Sequence, residues 1–162
     1  MRFFSKGLAA GLLSAAILSG QTLSPSLLHT DSKTSGNFSL VLDSSEDKRP
    51  AALQWELSVP AAILIKIEDI GIGKAAEKSK KLLTCAVNHQ RPVMPGGMRY
   101  ACILAGGQAA LENGPVAVVQ YRVQADVGGA PIRVAVENIV GASADLKRLG
   151  FPNVDAILTI KR

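Results

Sequence analysis

Ala117-Val118-Val119-Gln120-Tyr121-Arg122-Val123 decides the fold: Ala117, Val119, Tyr121 and Val123 take one side, and Val118, Gln120 and Arg122 the other. Successive side chains of a strand point to opposite faces, so this alternation reads as a half-buried strand. Outward from it the same period recurs. Phe38, Leu40 and Leu42 alternate with Ser39, Val41 and Asp43, and Leu53, Trp55 and Leu57 with Gln54, Glu56 and Ser58. Ile63, Ile65 and Ile67 continue the pattern, Ile132, Val134 and Val136 oppose Arg133, Ala135 and Glu137, and Val154, Ala156, Leu158 and Ile160 close the chain. Turn formers separate the runs at Ser44-Ser45-Glu46-Asp47, Pro95-Gly96-Gly97, Gly106-Gly107, Asn113-Gly114-Pro115 and Gly128-Gly129. About eight short strands so punctuated predict an all-β protein built as a two-layer antiparallel β-sandwich. Only Gly73 to Leu83 reads as helical, with Ala75, Ala76, Ser79, Leu82 and Leu83 sharing a face; one or two turns across an end of the sandwich satisfy it.

The N-terminus has the three-part layout of a secretory signal over residues 1–20: Arg2 and Lys6, an apolar run from Gly7 to Leu18, then Ser19 and Gly20, with cleavage expected near Gly20. The apolar run falls short of the roughly 20 residues of a comfortable membrane span, so no stable span is expected after cleavage. An uncleaved anchor is the alternative. Residues 21–36 mix Ser, Thr, Pro and Gly without periodicity and read as a flexible tether, which leaves residues 37–162 as one domain. The expected location is outside the cytoplasm: secreted, periplasmic or at the cell surface.

Removing residues 1–20 takes away two bases and no acid, lowering the formal charge from +5 to +3. Much of the basic excess sits in Lys74, Lys78, Lys80 and Lys81, with no aromatic residue among them. A solvated face explains the run better than nucleic-acid binding, and no nucleic-acid partner is expected. In an exported chain, two cysteines suggest a disulfide. Cys85 and Cys102 lie on apolar segments joined by His89 to Gly97; folded as a hairpin, that connection sets them opposite each other, with Leu83 and Val87 beside one and Tyr100 and Leu104 beside the other. Two buried free thiols are the alternative.

Motifs that carry chemistry are incomplete. Gly71-Ile72-Gly73-Lys74-Ala75-Ala76 has the outline of a dinucleotide loop, but after Glu77 the next acid is Glu112, too far on to hold a ribose, so a tight turn is expected. Gly141-Ala142-Ser143-Ala144-Asp145 lacks the second glycine of a nucleophile elbow, and no histidine follows it. His89 sits in a loop without an assigned carboxylate partner. Glu56, Glu68, Asp69, Glu112 and Glu137 are the acids available for a glycosidase pair, yet Glu56 and Glu137 fall on polar strand faces, where a solvated surface accounts for them. Asp145, Asn153 and Asp155 offer oxygens for calcium without the spacing of a dedicated loop, and two histidines with two cysteines make a poor metal set. No enzyme, cofactor or metal site is therefore expected. Phe38, Trp55 and Tyr121 lie on apolar faces, which leaves Tyr100 and Phe151 as the doubtful rings and argues against a sugar-stacking platform.

Three stretches give the chain a family likeness. Ala52-Leu53-Gln54-Trp55-Glu56-Leu57-Ser58-Val59-Pro60-Ala61, Asn113 to Val123, and the closing run Gly129 to Val136, Ile139 to Asp145 and Val154 to Ile160 resemble, in that order, the strands of cohesin-type modules. The resemblance implies a jelly-roll sandwich, similar to that of some carbohydrate-binding modules. It further implies a non-catalytic recognition or scaffold role toward a secreted, dockerin-like protein, linked to polysaccharide degradation; a carbohydrate-binding module that takes a polysaccharide is the alternative. Val59 stands where many family members have Asp before the proline, the lysine-rich segment 74–81 has no counterpart, and the partner-contacting face has no motif, so no binding residue carries over.

Overall fold

The computed structural model describes residues 20–26, 29–30, 35–59, 65–90, 97–124 and 131–160. The expected signal segment, apart from Gly20, lies outside the described residues, as do Ile63, Arg91 and the Gly128-Gly129 turn. Among the described residues no helix is long and apolar enough to cross a membrane.

Strands dominate, in the order β1 (Thr22–Pro25), β2 (His29–Thr30), β3 (Ser35–Asp43), β4 (Ala52–Val59), β5 (Ile65–Ile72), β6 (Leu82–Val87), β7 (Met98–Ala105), β8 (Gly114–Val123), β9 (Ile132–Ala142), β10 (Arg148–Gly150) and β11 (Val154–Ile160). They form two layers. One sheet runs β1-β3-β8-β5; the larger runs β2-β11-β9-β4-β7-β6, with β10 also paired to β9. Pairing is antiparallel except for the short parallel contact of β2 with β11. The expected β-sandwich is the observed architecture.

The predicted inward faces meet between the sheets. Phe38, Leu40 and Leu42 from β3, Leu53, Trp55 and Leu57 from β4, Val119 and Tyr121 from β8, and Ile132, Val134 and Val136 from β9 are all buried in one core. Because strand period is two, every one of these runs had a single phase that put its apolar set inside, and each strand adopts it. The rings of Phe38 and Tyr121 tilt against each other with centroids 6.3 Å apart.

Two expectations need correction. Residues 22–25, assigned to a tether, are strand β1, paired Thr22 to Asp43 through Pro25 to Leu40, and Leu23 is completely buried in the core. Four residues are too few to display a period, so the strand was invisible to alternation. β3 likewise begins at Ser35 rather than Asn37. The helix, α1 (Lys74–Lys78), is a turn and a half that buries Ala75 and Ala76, and it stops before Leu82 and Leu83, which belong to β6. Lys80 at φ 54° turns the chain, with Lys80 N and Lys81 N donating back to Glu77 O and Ala76 O. The glycine-rich segment before it is a close approach, as the turn reading expects: Gly73 N donates to Val116 O, and a Cβ on Gly73 would run into the backbone of Pro115 and Ala117.

β1 enters beside Asp43, at the end of the sandwich where β4 and β6 begin and β7 and β9 finish. β11 leaves at the opposite end, where Leu158 pairs with Ile132 at the start of β9. The chain thus passes from one pole of the domain to the other.

Candidate functional site

The larger sheet turns one face to the core and presents the other outward across β6, β7, β4 and β9. Register fixes which side chains share the outer face. Ala101, Ile103 and Ala105 of β7 stand beside Ala86, Thr84 and Leu82 of β6, while Ala101 and Ile103 stand beside Glu56 and Gln54 of β4. Leu82 is 75% exposed and Ile103 53%, an apolar pair set among small side chains.

Toward the other end of the same face the surface becomes polar and ordered. Glu56 on β4 lies directly opposite Glu137 on β9. Arg99 of β7 reaches between them, its Nη1 donating to Glu56 Oε2 at 2.9 Å and its Nη2 lying 3.1 Å from Glu137 Oε2. Asn88 Nδ2 donates to Glu56 Oε1 at 3.0 Å, and Asn138 Nδ2 to Glu56 Oε2 at 2.6 Å. Glu56 is only 8% exposed, so the solvated surface expected for it is instead a buried anion with three donors around it. A partly buried carboxylate is stable only with such partners.

A β-bulge builds this arrangement. β9 carries one extra residue against β4, so Gln54 pairs with Val140 but Glu56 with Glu137. The extra backbone step is absorbed at Asn138, at φ 51°, a left-handed conformation that asparagine tolerates better than most residues. Asn138 N donates to Asn153 Oδ1, which fixes the bulge to the start of β11. The signal in the sequence was the pair of acids at positions 56 and 137; the bulge that brings them together leaves no pattern in composition or period.

Glu56 and Glu137 are therefore the acids the fold brings together, but as two anchors of one guanidinium rather than as an acid facing a nucleophile across a bond. The other acids are elsewhere: Glu68 pairs with Arg122 at 2.8 Å, and Glu112 with Lys78 at 2.7 Å. The calcium candidates are separated by their partners. Asp155 receives both its hydrogen bonds from Arg133 Nη2, Asn153 serves the bulge, and Asp145 sits in the β9–β10 turn. Ser143 Oγ accepts from Lys147 N in that turn, the strand-end role expected of it.

The lysine run divides. Lys74, Lys78 and Lys80 are exposed, but Lys81 is 3% exposed, and its Nζ donates to Gly106 O at 2.7 Å and Gly107 O at 3.2 Å. This corrects the solvated reading for Lys81, which clamps the β7–β8 turn; burial holds its ammonium below the usual lysine range. Phe38, Trp55 and Tyr121 are core residues, and Tyr100 and Phe151 pack partly buried against that core. Cys85 and Cys102 are joined by a disulfide across β6 and β7.

No family model matches the chain, and no curated protein matches it. Solved structures do. A non-cellulosomal cohesin from the hyperthermophilic archaeon Archaeoglobus fulgidus superposes with a TM-score of 0.68 at 12% identity, covering 88% of this chain and 92% of that one. A type I cohesin–dockerin complex from Clostridium thermocellum gives 0.70 at 13%, covering 88% and 99%. The cohesin module of a family 33 glycoside hydrolase from Clostridium perfringens gives 0.64 at 9%, covering 88% and 97%. The fold is cohesin-like, as the three sequence stretches predict.

Proposed function

We propose that this chain is an exported, non-catalytic recognition or scaffold module that binds a dockerin-like partner protein on the outer face of its larger sheet. The observation that carries this reading is the face itself, with Leu82 and Ile103 exposed among small side chains and an Arg99–Glu56–Glu137 cluster on the same face. Protein interfaces are built in this way, with an apolar centre and charges held in position to set register. The cohesin-like fold supports it, since several of the similar structures are cohesins solved with dockerins. Export through residues 1–20 agrees with the disulfide, which persists in oxidising compartments. A place in extracellular polysaccharide degradation follows as the setting of such a module.

The test is calorimetric titration of residues 21–162 with a panel of dockerin modules and, in parallel, soluble glycans. Saturable binding to a dockerin, abolished by Ile103→Asp, is expected. Micromolar glycan binding that Ile103→Asp leaves intact, with no dockerin bound, overturns the reading in favour of a carbohydrate-binding module.

A further inference from the structure

Sheet edges are open templates for another strand, and natural proteins blunt them with charge, proline, bulges or brevity. Most edges here are blunted in one of these ways. β5 carries Lys66, Glu68 and Asp69 and a register shift between Ile67 and Asp69. β1 has four residues ending in Pro25, β2 has two, and β10 has three. β6 has none of these protections. It pairs with β7 over six residues without a register shift, and from Leu82 to Gln90 the sequence holds no Asp, Glu, Lys or Arg. Among the described residues no strand lies beyond it.

The direction of its free backbone groups follows from one hydrogen bond. Asn88 N donates to Arg99 O at 2.8 Å, which makes Asn88 and Arg99 a hydrogen-bonded pair of the antiparallel ladder. Hydrogen-bonded and non-hydrogen-bonded pairs alternate, so Ala86, Thr84 and Leu82 also bond inward to β7, while Leu83, Cys85 and Val87 point their N–H and C=O groups away from the sheet. The 4.1 Å Cα separation of Cys85 and Cys102 agrees, since non-hydrogen-bonded pairs are the closer ones. The disulfide fastens this edge strand to its neighbour.

We propose that β6 pairs antiparallel with β6 of a second copy of this chain, about a two-fold axis through Cys85. In that register Cys85 lies opposite the partner's Cys85 and Leu83 opposite the partner's Val87, so the outward N–H and C=O groups of each strand meet acceptors and donors of the other. Thr84 and Ala86 face the partner's Ala86 and Thr84 on the outer surface, small and uncharged on both sides. A second copy is the occupant because the edge is self-complementary: with no charge over nine residues, the like-charge repulsion that two identical edges normally present to each other is missing. The axis stands perpendicular to the sheet, so both outer faces point the same way.

The test is sedimentation of residues 21–162 over a concentration series, with amide exchange measured at both extremes. A monomer–dimer equilibrium is expected, with the Leu83, Cys85 and Val87 amides protected in concentrated samples and exchanging freely in dilute ones. The double variant Thr84→Lys, Ala86→Lys should weaken the dimer by about tenfold or more, while Gln54→Lys on the outer face of β4 leaves it unchanged; the disulfide and thermal midpoint of each variant report that it is folded. A chain that stays monomeric at millimolar concentration, a dimer whose three amides exchange freely, or a folded lysine variant that dimerises like the parent would overturn the proposal. The proposal stands apart from dockerin binding, so either can fail without the other.

Discussion

Arg99 owes its place to Glu56, and the consequence of separating them is large because both side chains are mostly buried. Glu56→Ala leaves a guanidinium with Glu137 as its remaining anion, and removing one member of a buried pair costs about 3 kcal/mol or more; urea unfolding should show a lowered midpoint with an unchanged slope. Asn113 is a second single-residue lock. Its Oδ1 accepts from Ser44 N and Oγ, and its Nδ2 donates to Ser44 O. Asn113→Asp replaces that donor with an oxygen next to a carbonyl and to Asp43, and should lower stability by about 1–3 kcal/mol. Burial also sets the alkaline behaviour. Lys81 has a folded pKa below the ordinary 10.5, so the unfolded chain binds the extra proton and stability rises as pH climbs toward 10.5. Tyr100 is raised by burial, so the unfolded chain ionises first and stability falls above 10.0. Lys81→Met should abolish the rise and keep the fall, as read from urea midpoints between pH 8 and 11 in steps of about half a unit.

β1 shows what an element contributes beyond its length. Leu23 fills the core from the edge of the smaller sheet, and Leu23→Ala should cost about 2–5 kcal/mol, a loss that a tether would not register in thermal melts. The β6–β7 ladder is the other element with a separable test. Its disulfide closes a 17-residue separation, and Cys85→Ser with Cys102→Ser should lower stability by about 3 kcal/mol. The long strands were legible because alternation over six or more residues leaves one workable phase, and Cys85 and Cys102 were legible because their neighbours Leu83, Val87, Tyr100 and Leu104 already shared faces. β1 was not, being shorter than the period needs; α1 was legible as one or two turns within Gly73 to Leu83, but its end was not, because Lys80 takes a positive φ that no residue type announces. The Glu56–Arg99–Glu137 cluster was half legible. Its acids stood out, but Arg99 reaches them only because β7 lies beside β4 and the bulge at Asn138 resets β9, and both are properties of the assembled sheet.

Across the whole molecule, the proposed face and the proposed dimer edge belong to the same sheet, and pairing through β6 would double the face without covering it. Two faces turned the same way would raise the avidity for any partner carrying two dockerin-like units far above single-site binding. The passage of the chain from pole to pole has a mechanical meaning as well. Force applied to the two ends of the domain would act at the start of β1 and at the end of β11, in opposite directions along their strands. The hydrogen bonds of β1 with β3 and of β11 with β9 run perpendicular to that pull, so load falls on each ladder as shear, with its bonds strained together instead of opened singly. In that geometry the domain would resist tension between its two ends, and the burial of Leu23 sets how firmly its first strand holds.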